Sequence, residues 1–248
     1  MPGWASAGLW GLLAGSTLVA GAAVAWLVRV PPRVVAGVMA FGAGVLVAAL
    51  SFELVDEAER SGGLAPTAGG FLAGALAYVG ANLALARRGA RHRKRSAGMQ
   101  PTEAQVQGSG MAIAVGALLD GVPESVVLGL SLRDGGVGAA MLAAVAISNL
   151  PEGLSSAAGM KAAGRRPGYV FGVWGAIAAA SGVAALAGNL ALADASPEVV
   201  AAITAVAAGA ILAMVADTMI PEAFERAHAY TGLLTTLGFL TSFTIDRF

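Results

Sequence analysis

The sequence predicts an all-α membrane protein of eight transmembrane helices that forms one polytopic domain over residues 1–248. Three observations lead to this fold class. Hydrophobic residues make up 57 % of the chain and charged residues only 12 %, whereas soluble domains contain about 25 % charged residues. Apolar segments of about 20 residues, the length that crosses a bilayer, recur along the whole chain. The Lys and Arg residues lie outside these segments.

Eight segments are long enough to span a membrane. The first lacks the basic residues that open a signal peptide and exceeds the length of a signal-peptide core, so we expect a membrane helix there. The predicted spans cover residues 5–28, 34–55, 67–86, 109–131, 136–160, 168–192, 198–221 and 229–246. The longest break, residues 87–108, contains a run of Arg and Lys followed by Gly, Gln and Ser. We expect a flexible basic loop there.

The basic residues are unevenly divided between the two sides of the predicted membrane. If the 87–108 loop is cytoplasmic, the connections 29–33, 161–167 and 222–228 are cytoplasmic too. These four regions hold twelve of the fifteen Lys and Arg residues; the exceptions are Arg60, Arg133 and Arg247. The positive-inside rule then predicts a multi-pass protein of the plasma membrane with both termini outside.

The most informative stretch is residues 116–160, where two spans each carry a Pro-Glu pair near the middle. Asp120 and Glu124 lie one turn apart in the fourth span, and Ser148 and Glu152 do so in the fifth. Residues at i and i+4 share a helix face, and the two spans run in opposite directions, so we expect both pairs to meet at mid-membrane. An acid at that depth costs about 2.5–3.5 kcal/mol on insertion scales. Neither segment contains Lys or Arg, which indicates that the carboxyls bind a proton or an incoming cation.

The prolines of these pairs add a second kind of ligand. Pro123 and Pro151 cannot donate a hydrogen bond to the carbonyls of Leu119 and Ile147, so each span is expected to bend and to leave an oxygen beside the acids. Free carbonyls at membrane depth are tolerated where they line a cavity or bind an ion. Two such sites facing each other favour an ion site, and kinks kept only for packing are the alternative.

Two further acidic clusters flank this centre, one at the end of the second span and one at the end of the seventh. Residues 54–60 resemble residues 219–226, and the two spans run in opposite directions. The match predicts an inverted repeat, a 3+2+3 arrangement in which spans one to three and six to eight surround a central pair. Glu53 and Asp217 lie deepest and are candidates for an ion pathway. Acids nearer the ends, such as Asp56 and Glu57, are equally well explained as solvated helix ends.

These features resemble the ZIP family of divalent-metal transporters, especially its bacterial zinc-permease branch. The family has eight spans, outside termini, a variable cytoplasmic loop after span three and His-Asn-x-Pro-Glu-Gly motifs in spans four and five. Here the motif positions read Asp-Gly-Val-Pro-Glu-Ser (120–125) and Ser-Asn-Leu-Pro-Glu-Gly (148–153). The resemblance implies a mononuclear or binuclear metal site between spans four and five, with Glu124 and Glu152 at bridging positions. It also implies an elevator-like or rocking movement and, for many members, a homodimer.

The sequence departs from the family pattern at the motif histidines. Asp and Ser replace them, span six supplies no acid, and both histidines of the chain, His92 and His228, fall in predicted cytoplasmic connections. The candidate metal ligands are therefore all oxygen donors: Asp120, Glu124, Ser148, Asn149 and Glu152. Oxygen ligands favour Mn²⁺, Mg²⁺ or Fe²⁺, whereas zinc sites usually contain imidazole or thiolate. Zinc is the metal that the family resemblance implies.

Two functions remain open at this point. The first is a permease for divalent metal cations, and the second is a degenerate relative that no longer transports and serves as a metal sensor or structural membrane protein. The chain lacks the sequence motifs of intramembrane enzymes, so we expect no enzymatic activity and no cofactor apart from the transported ion. A net charge of zero gives no electrostatic basis for nucleic-acid binding.

Overall fold

The computed structural model describes residues 3–90, 100, 102, 105–106, 109–132 and 139–247. This part of the chain is all-α, and its eight long helices confirm the predicted fold class. They are α1 (Gly3–Leu27), α2 (Pro32–Gly62), α3 (Leu64–Leu85), α4 (Ser109–Ser131), α5 (Ala139–Ala162), α6 (Pro167–Ala191), α7 (Pro197–Ala227) and α8 (Tyr230–Arg247). Helices α2 and α7 each contain a π-helical turn, at Leu50–Val55 and Val215–Met219.

Proline and glycine mark several helix boundaries. Helices α2, α6 and α7 begin with a proline, whose fixed φ and missing N–H suit the first helical turn. Gly63, with a φ of 82°, directly follows α2, and Gly164, with a φ of 76°, lies just beyond α5. Glycine adopts this left-handed conformation without steric cost. The short connections then join neighbouring helices as antiparallel pairs.

Three predicted boundaries were placed too early. Helix α2 continues past residue 55 to Gly62, and α7 continues past residue 221 to Ala227. Helical turns also extend beyond α3 to Ala90, inside the predicted 87–108 loop. In each case the sequence becomes polar while the backbone stays helical, because a helix can extend beyond the apolar part of a bilayer. Residues 91–99, 101, 103–104 and 107–108 of the predicted loop lie outside the described residues.

Six of the eight helices are long and apolar enough to cross a membrane, which makes the chain a multi-span membrane protein. The other two are α5, which carries the Ser-Asn-x-Pro-Glu motif, and α8, which is rich in Thr. In α8 the hydroxyls of Thr236, Thr241 and Thr244 donate to carbonyls one turn earlier, at 2.9, 2.8 and 2.6 Å. Such bonds satisfy the hydroxyls within the helix, so a Thr-rich helix remains compatible with an apolar environment.

The helices form two bundles of four. In the central bundle (α1, α4, α5 and α6), α1 packs along α5 and α6, and α4 packs along α6. In the flanking bundle (α2, α3, α7 and α8), α2 packs along α7 and α8, and α3 packs along α7. The bundles meet where α2 crosses α5, where α4 crosses α7, and where α3 and the helical turn after it lie against α4. Helices α4 and α5 also touch, although each has its larger interface elsewhere.

This packing repeats when the helices are exchanged in pairs. The exchange is α1 with α6, α2 with α7, α3 with α8 and α4 with α5. It converts the α1–α5 contact into α6–α4, α2–α8 into α7–α3, and α2–α5 into α7–α4, and all of these contacts are present. The π-helical turns of α2 and α7 are exchanged too. Because exchanged helices run in opposite directions, the packing supports the inverted repeat predicted from the sequence.

Eight glycines form reciprocal contacts between helices, and each bundle contains four of them. In four helix pairs, a glycine on each helix faces a backbone carbonyl of the other helix, so a Cβ there would overlap or crowd that oxygen. The pairs are Gly21 with Gly153 (α1–α5), Gly129 with Gly188 (α4–α6), Gly44 with Gly238 (α2–α8) and Gly74 with Gly209 (α3–α7). Small residues of this kind allow close backbone approach between membrane helices. The same kind of glycine contact therefore occurs in both halves of the repeat.

Candidate functional site

The two Pro-Glu motifs lie inside α4 and α5, as predicted. Pro123 and Pro151 are both internal helix positions. The three acids of the motifs are almost completely buried: Asp120 and Glu124 are 2 % exposed and Glu152 is 5 % exposed. Asp120 is at the midpoint of α4, and Glu124 follows one turn later. The sequence therefore placed these carboxyls correctly in the interior at mid-depth.

Asp120 has a partner that the sequence did not reveal. The hydroxyl of Tyr78 in α3 donates a hydrogen bond to Asp120 Oδ1 over 2.8 Å, and both side chains are 2 % exposed. The bond gives one carboxyl oxygen a donor in the interior, where an unpaired polar atom is costly. The available signal was a single tyrosine in the middle of an otherwise apolar span, but its helix is distant in sequence from the motif.

Ser148 and Asn149 are buried in α5, and both side chains donate hydrogen bonds to backbone carbonyls. Ser148 Oγ donates to the carbonyl of Val145 at 3.0 Å, within its own helix. Asn149 Nδ2 donates to the carbonyl of Ala14 in α1 at 3.2 Å. Asn149 therefore joins two helices of the central bundle, and its side-chain oxygen is the atom that a cation could use. An amide oxygen is a ligand type that hard cations accept.

The described residues contain no group of three or more His, Cys, Asp or Glu side chains placed to hold a metal ion. This includes Asp120, Glu124 and Glu152, all of which lie in the described part of the chain. Their helices make only a small mutual contact. The arrangement thus buries three carboxyls in neighbouring helices without assembling them into one metal cluster.

The two ends of the bundle differ in charge, and each has at least one cavity of about 280–310 Å³. We call the end with the connections 28–31, 163–166 and 228–229 the basic end, and the end with the connections 63 and 192–196 the acidic end. At the acidic end lies a cavity of about 290 Å³ lined by Glu53 and Glu57 of α2 together with residues of α4, α5 and α7. One lining residue, Val127, lies three residues past Glu124, about 4.5 Å along the helix axis.

The two predicted pathway acids have different environments. Glu53 lies in the π-helical turn of α2, is half-buried and lines the cavity. Asp217 lies in the corresponding turn of α7 but is exposed. Glu222, one turn further on, is half-buried, so it is the better-placed acid at the basic end. Glu222 follows Pro221 and so belongs to a further Pro-Glu pair of the sequence.

Gln100 is a buried polar residue that sequence analysis missed. It is 3 % exposed, and its Nε2 donates to the carbonyl of Ser156 in α5 at 3.1 Å. Ser156 is also buried and follows Glu152 by one helical turn. Gln100 therefore fills space beneath the α5 motif, on the side toward the basic end. Composition alone suggested a solvated loop, and no pattern in the sequence distinguishes this glutamine from its polar neighbours.

Comparison with known proteins gave no assignment. No protein-family model matches the chain, and no curated protein matches it in sequence. What the fold and the site establish is an all-helical, multi-span membrane protein with buried acids at mid-depth.

Proposed function

We propose that this protein is a permease of the ZIP type that moves divalent metal cations across the membrane. The observation that carries the proposal is the placement of three nearly buried carboxyls, Asp120, Glu124 and Glu152, near the middle of α4 and α5. These two helices are exchanged by the inverted repeat and touch each other. In membrane proteins, ionisable groups in such positions mark ion pathways, and transporters with inverted repeats bind substrate at the repeat interface.

The cation site would be completed by oxygen donors of the same two helices. Glu124 and Glu152 are the bridging ligands, Asp120 supplies a further carboxyl, and Asn149 and Ser148 supply neutral oxygens. Pro123 and Pro151 each leave a carbonyl without its usual helical donor. Since the three acids do not form one cluster here, loading a metal requires α4 and α5 to approach. The cation itself supplies the electrostatic reason, because it relieves repulsion between the carboxylates.

We propose that the cation enters the site from the acidic end. The cavity lined by Glu53 and Glu57 offers carboxylates to an entering cation and reaches to within one turn of Glu124. Toward the basic end, Gln100 is packed against Ser156. The cavities at the basic end are lined in part by Lys and Arg side chains, which repel a cation, so the carboxylate-lined cavity is the better entrance. By the positive-inside rule, the acidic end faces outside, which makes the direction uptake.

The chemistry of the donors favours Mn²⁺ or Fe²⁺, whereas the family resemblance favours Zn²⁺. All side-chain candidates are oxygen donors, which suit harder cations. The transport assay therefore has to include all three metals.

The test is metal uptake by the purified protein reconstituted in liposomes. We expect Glu124→Gln and Glu152→Gln each to abolish uptake of Mn²⁺, Fe²⁺ and Zn²⁺ while the protein keeps its helical content and elution profile. The matched control is Glu59→Gln, because Glu59 is an exposed acid near the acidic end and its loss should leave uptake within about twofold. Normal uptake by both site variants would refute the assignment of the site.

A degenerate relative that binds metal without transporting it is the second candidate. It is favoured by the missing motif histidines and by the three acids not forming one cluster. A protein of this kind would gain thermal stability from metal through linkage, yet it would show no uptake in liposomes. The combination of both measurements separates the two functions.

A further inference from the structure

We infer that Tyr78 is a positioning residue for Asp120 and that the hydrogen bond between them holds the central and flanking bundles in the arrangement seen here. Tyr78 belongs to α3 in the flanking bundle, and Asp120 belongs to α4 in the central bundle. The bond spans 2.8 Å between two side chains that are each 2 % exposed. It therefore links the two bundles at mid-depth, at the first acid of the α4 motif.

Several hydrogen bonds between helices of the described chain lie inside one bundle. Within the central bundle, Asn149 bonds to α1, Asn189 bonds to α4, and Lys161 bonds to α1. Within the flanking bundle, Thr235 Oγ1 bonds to the Ala40 carbonyl in α2 at 3.1 Å. These bonds stabilise each bundle as a unit, whereas the Tyr78–Asp120 bond connects the two.

The glycine contacts follow the same division. All four reciprocal glycine pairs lie within a bundle, where a Cβ would overlap or crowd a backbone oxygen. At the crossing of α2 and α5, a Cβ on Gly42 would meet Ser148 Cα at 3.3 Å, a more distant approach. Tight backbone contact thus locks helices inside each bundle, and the interface between bundles relies more on side chains.

The packing of α3 brings the Tyr78 hydroxyl against α4. Its buried residues are Thr67, Gly70, Gly74 and Tyr78, spaced at three and four residues along one face. Gly70 and Gly74 bring the backbone of α3 against α7. The next residue on the face, Tyr78, extends past this contact, because a tyrosine is long and rigid enough to reach a neighbouring helix.

The inverted repeat does not reproduce the bond in its other half. Gly74 in α3 corresponds to Gly238 in α8, so four residues later Tyr78 corresponds to Ser242, which is also buried. By the same count from the exchanged glycines Gly129 and Gly153, Asp120 corresponds to Ala144, a buried residue without a polar side chain. A phenol opposite a carboxyl in one half therefore stands against a short hydroxyl and a methyl group in the other. Packing symmetry therefore does not account for Tyr78, and its hydroxyl serves the acid it contacts.

Removing the hydroxyl should loosen the two bundles relative to each other. Any movement that separates α3 from α4 has to break this bond and leave a buried hydroxyl and a buried carboxyl without each other, which costs free energy. The effect on transport rests on the proposed function. The effect on the arrangement of the bundles does not, because it follows from the contact alone.

The experiment measures distances between spin labels in the protein without metal. The chain has no cysteine, so pairs of cysteines can be introduced without background. An inter-bundle pair, Arg166→Cys with Ala229→Cys, reports on the two bundles at the basic end, and an intra-bundle pair, Ser61→Cys with Thr244→Cys, reports on the flanking bundle. All four positions are exposed. We expect Tyr78→Phe to increase the share of a second inter-bundle distance at least tenfold and to leave the intra-bundle distance unchanged.

The matched control is Tyr230→Phe, which removes a hydroxyl from an exposed tyrosine and should change neither distance. A double-mutant cycle assigns the effect to the bond: in an Asp120→Ala background, adding Tyr78→Phe should change the inter-bundle distribution less than twofold. An unchanged inter-bundle distribution in Tyr78→Phe would overturn the inference.

The same variants separate this inference from the proposed function. If Glu124→Gln abolishes uptake but Tyr78→Phe leaves the distances unchanged, only the role of Tyr78 is wrong. If Tyr78→Phe shifts the distances in a protein that transports no metal, the bond stands and the transport proposal is wrong.

Discussion

Individual side chains determine how acids are accommodated in α4 and α5. The surrounding residues are mostly Ala, Val, Gly and Leu, and burial in such a setting disfavours an ionised carboxyl. Asp120 gains a phenol donor from α3. It stands where the motif of the ZIP family, which the sequence resembles, has a histidine. An oxygen ligand at this position, instead of nitrogen, should change which cation the site prefers.

This difference leads to a prediction about metal selectivity. With oxygen donors only, affinity for Mn²⁺ should equal or exceed affinity for Zn²⁺, because zinc gains most from nitrogen and sulfur ligands. Replacing Asp120→His together with Ser148→His should shift preference toward zinc. It should also make binding weaker below about pH 6–7, because the imidazole must be neutral to bind. Titration calorimetry at two pH values measures both effects.

The control for this experiment is His228, an exposed histidine at the basic end. Changing His228→Gln in the unmodified protein should leave both affinities unchanged. If the unmodified protein already binds zinc ten times more tightly than manganese, the preference for hard cations is wrong, and a ligand outside the named set supplies the difference.

At the scale of helices, glycine spacing determines which helices pack together. The carbonyl that faces each glycine lies three residues before the partner glycine in all four pairs. This register fixes two helices against each other with their backbones in close contact, where Cα–H···O contacts add a small stabilisation. Glycines that face outward, such as Gly80, have no atom near their absent side chain.

The contrast between these two kinds of glycine gives a prediction about stability. Gly74→Ala places a methyl group against the carbonyl of Val206 in α7, so the helices must separate. We expect a loss of about 1–3 kcal/mol in the free energy of unfolding, the usual effect of overpacking. Gly80→Ala, in the same helix, is the matched control and should change stability by less than about 0.5 kcal/mol. Unfolding in mixed micelles measures both.

The internal repeat provides a second check. Gly238 is the counterpart of Gly74 in the other half of the repeat, so Gly238→Ala should be destabilising to a similar degree. Equal stability of Gly74→Ala and Gly80→Ala would contradict the role of the glycine contacts.

Hydropathy was enough to predict the helices but not their partners. Runs of apolar residues located all eight helices, and the two Pro-Glu pairs located the buried acids, because burial of a carboxyl in an apolar run is visible locally. The continuation of α2 to Gly62 was missed since helicity persists after hydrophobicity ends. The Tyr78–Asp120 bond was missed because it joins residues 42 positions apart in sequence. The glycine spacing sets the packing register, but predicting that register from the sequence requires knowing which helices are neighbours.

At the scale of the whole molecule, charge is separated between the two ends. The basic end contains the connections with Arg29, Lys161, Arg165 and Arg166, whereas the cavity with Glu53 and Glu57 opens toward the acidic end. Lys161 adds positive charge at the basic end, where its Nζ donates a hydrogen bond to the carbonyl of Trp26 at the end of α1 over 2.7 Å. This asymmetry links the orientation of the protein in the membrane to the direction in which the cavity faces.

The orientation can be predicted and tested with single cysteines in this cysteine-free chain. By the positive-inside rule, the acidic end faces outside. Ser196→Cys, at the acidic end, should react with a membrane-impermeant maleimide on intact cells. Ala162→Cys, at the basic end, should react only after the cells are permeabilised. Both positions are exposed, so accessibility of the residue itself does not separate them. Labelling of Ala162→Cys and not Ser196→Cys on intact cells would reverse the topology, and the cavity lined by Glu53 would then receive cations from the cytoplasm, which would make export the proposed direction.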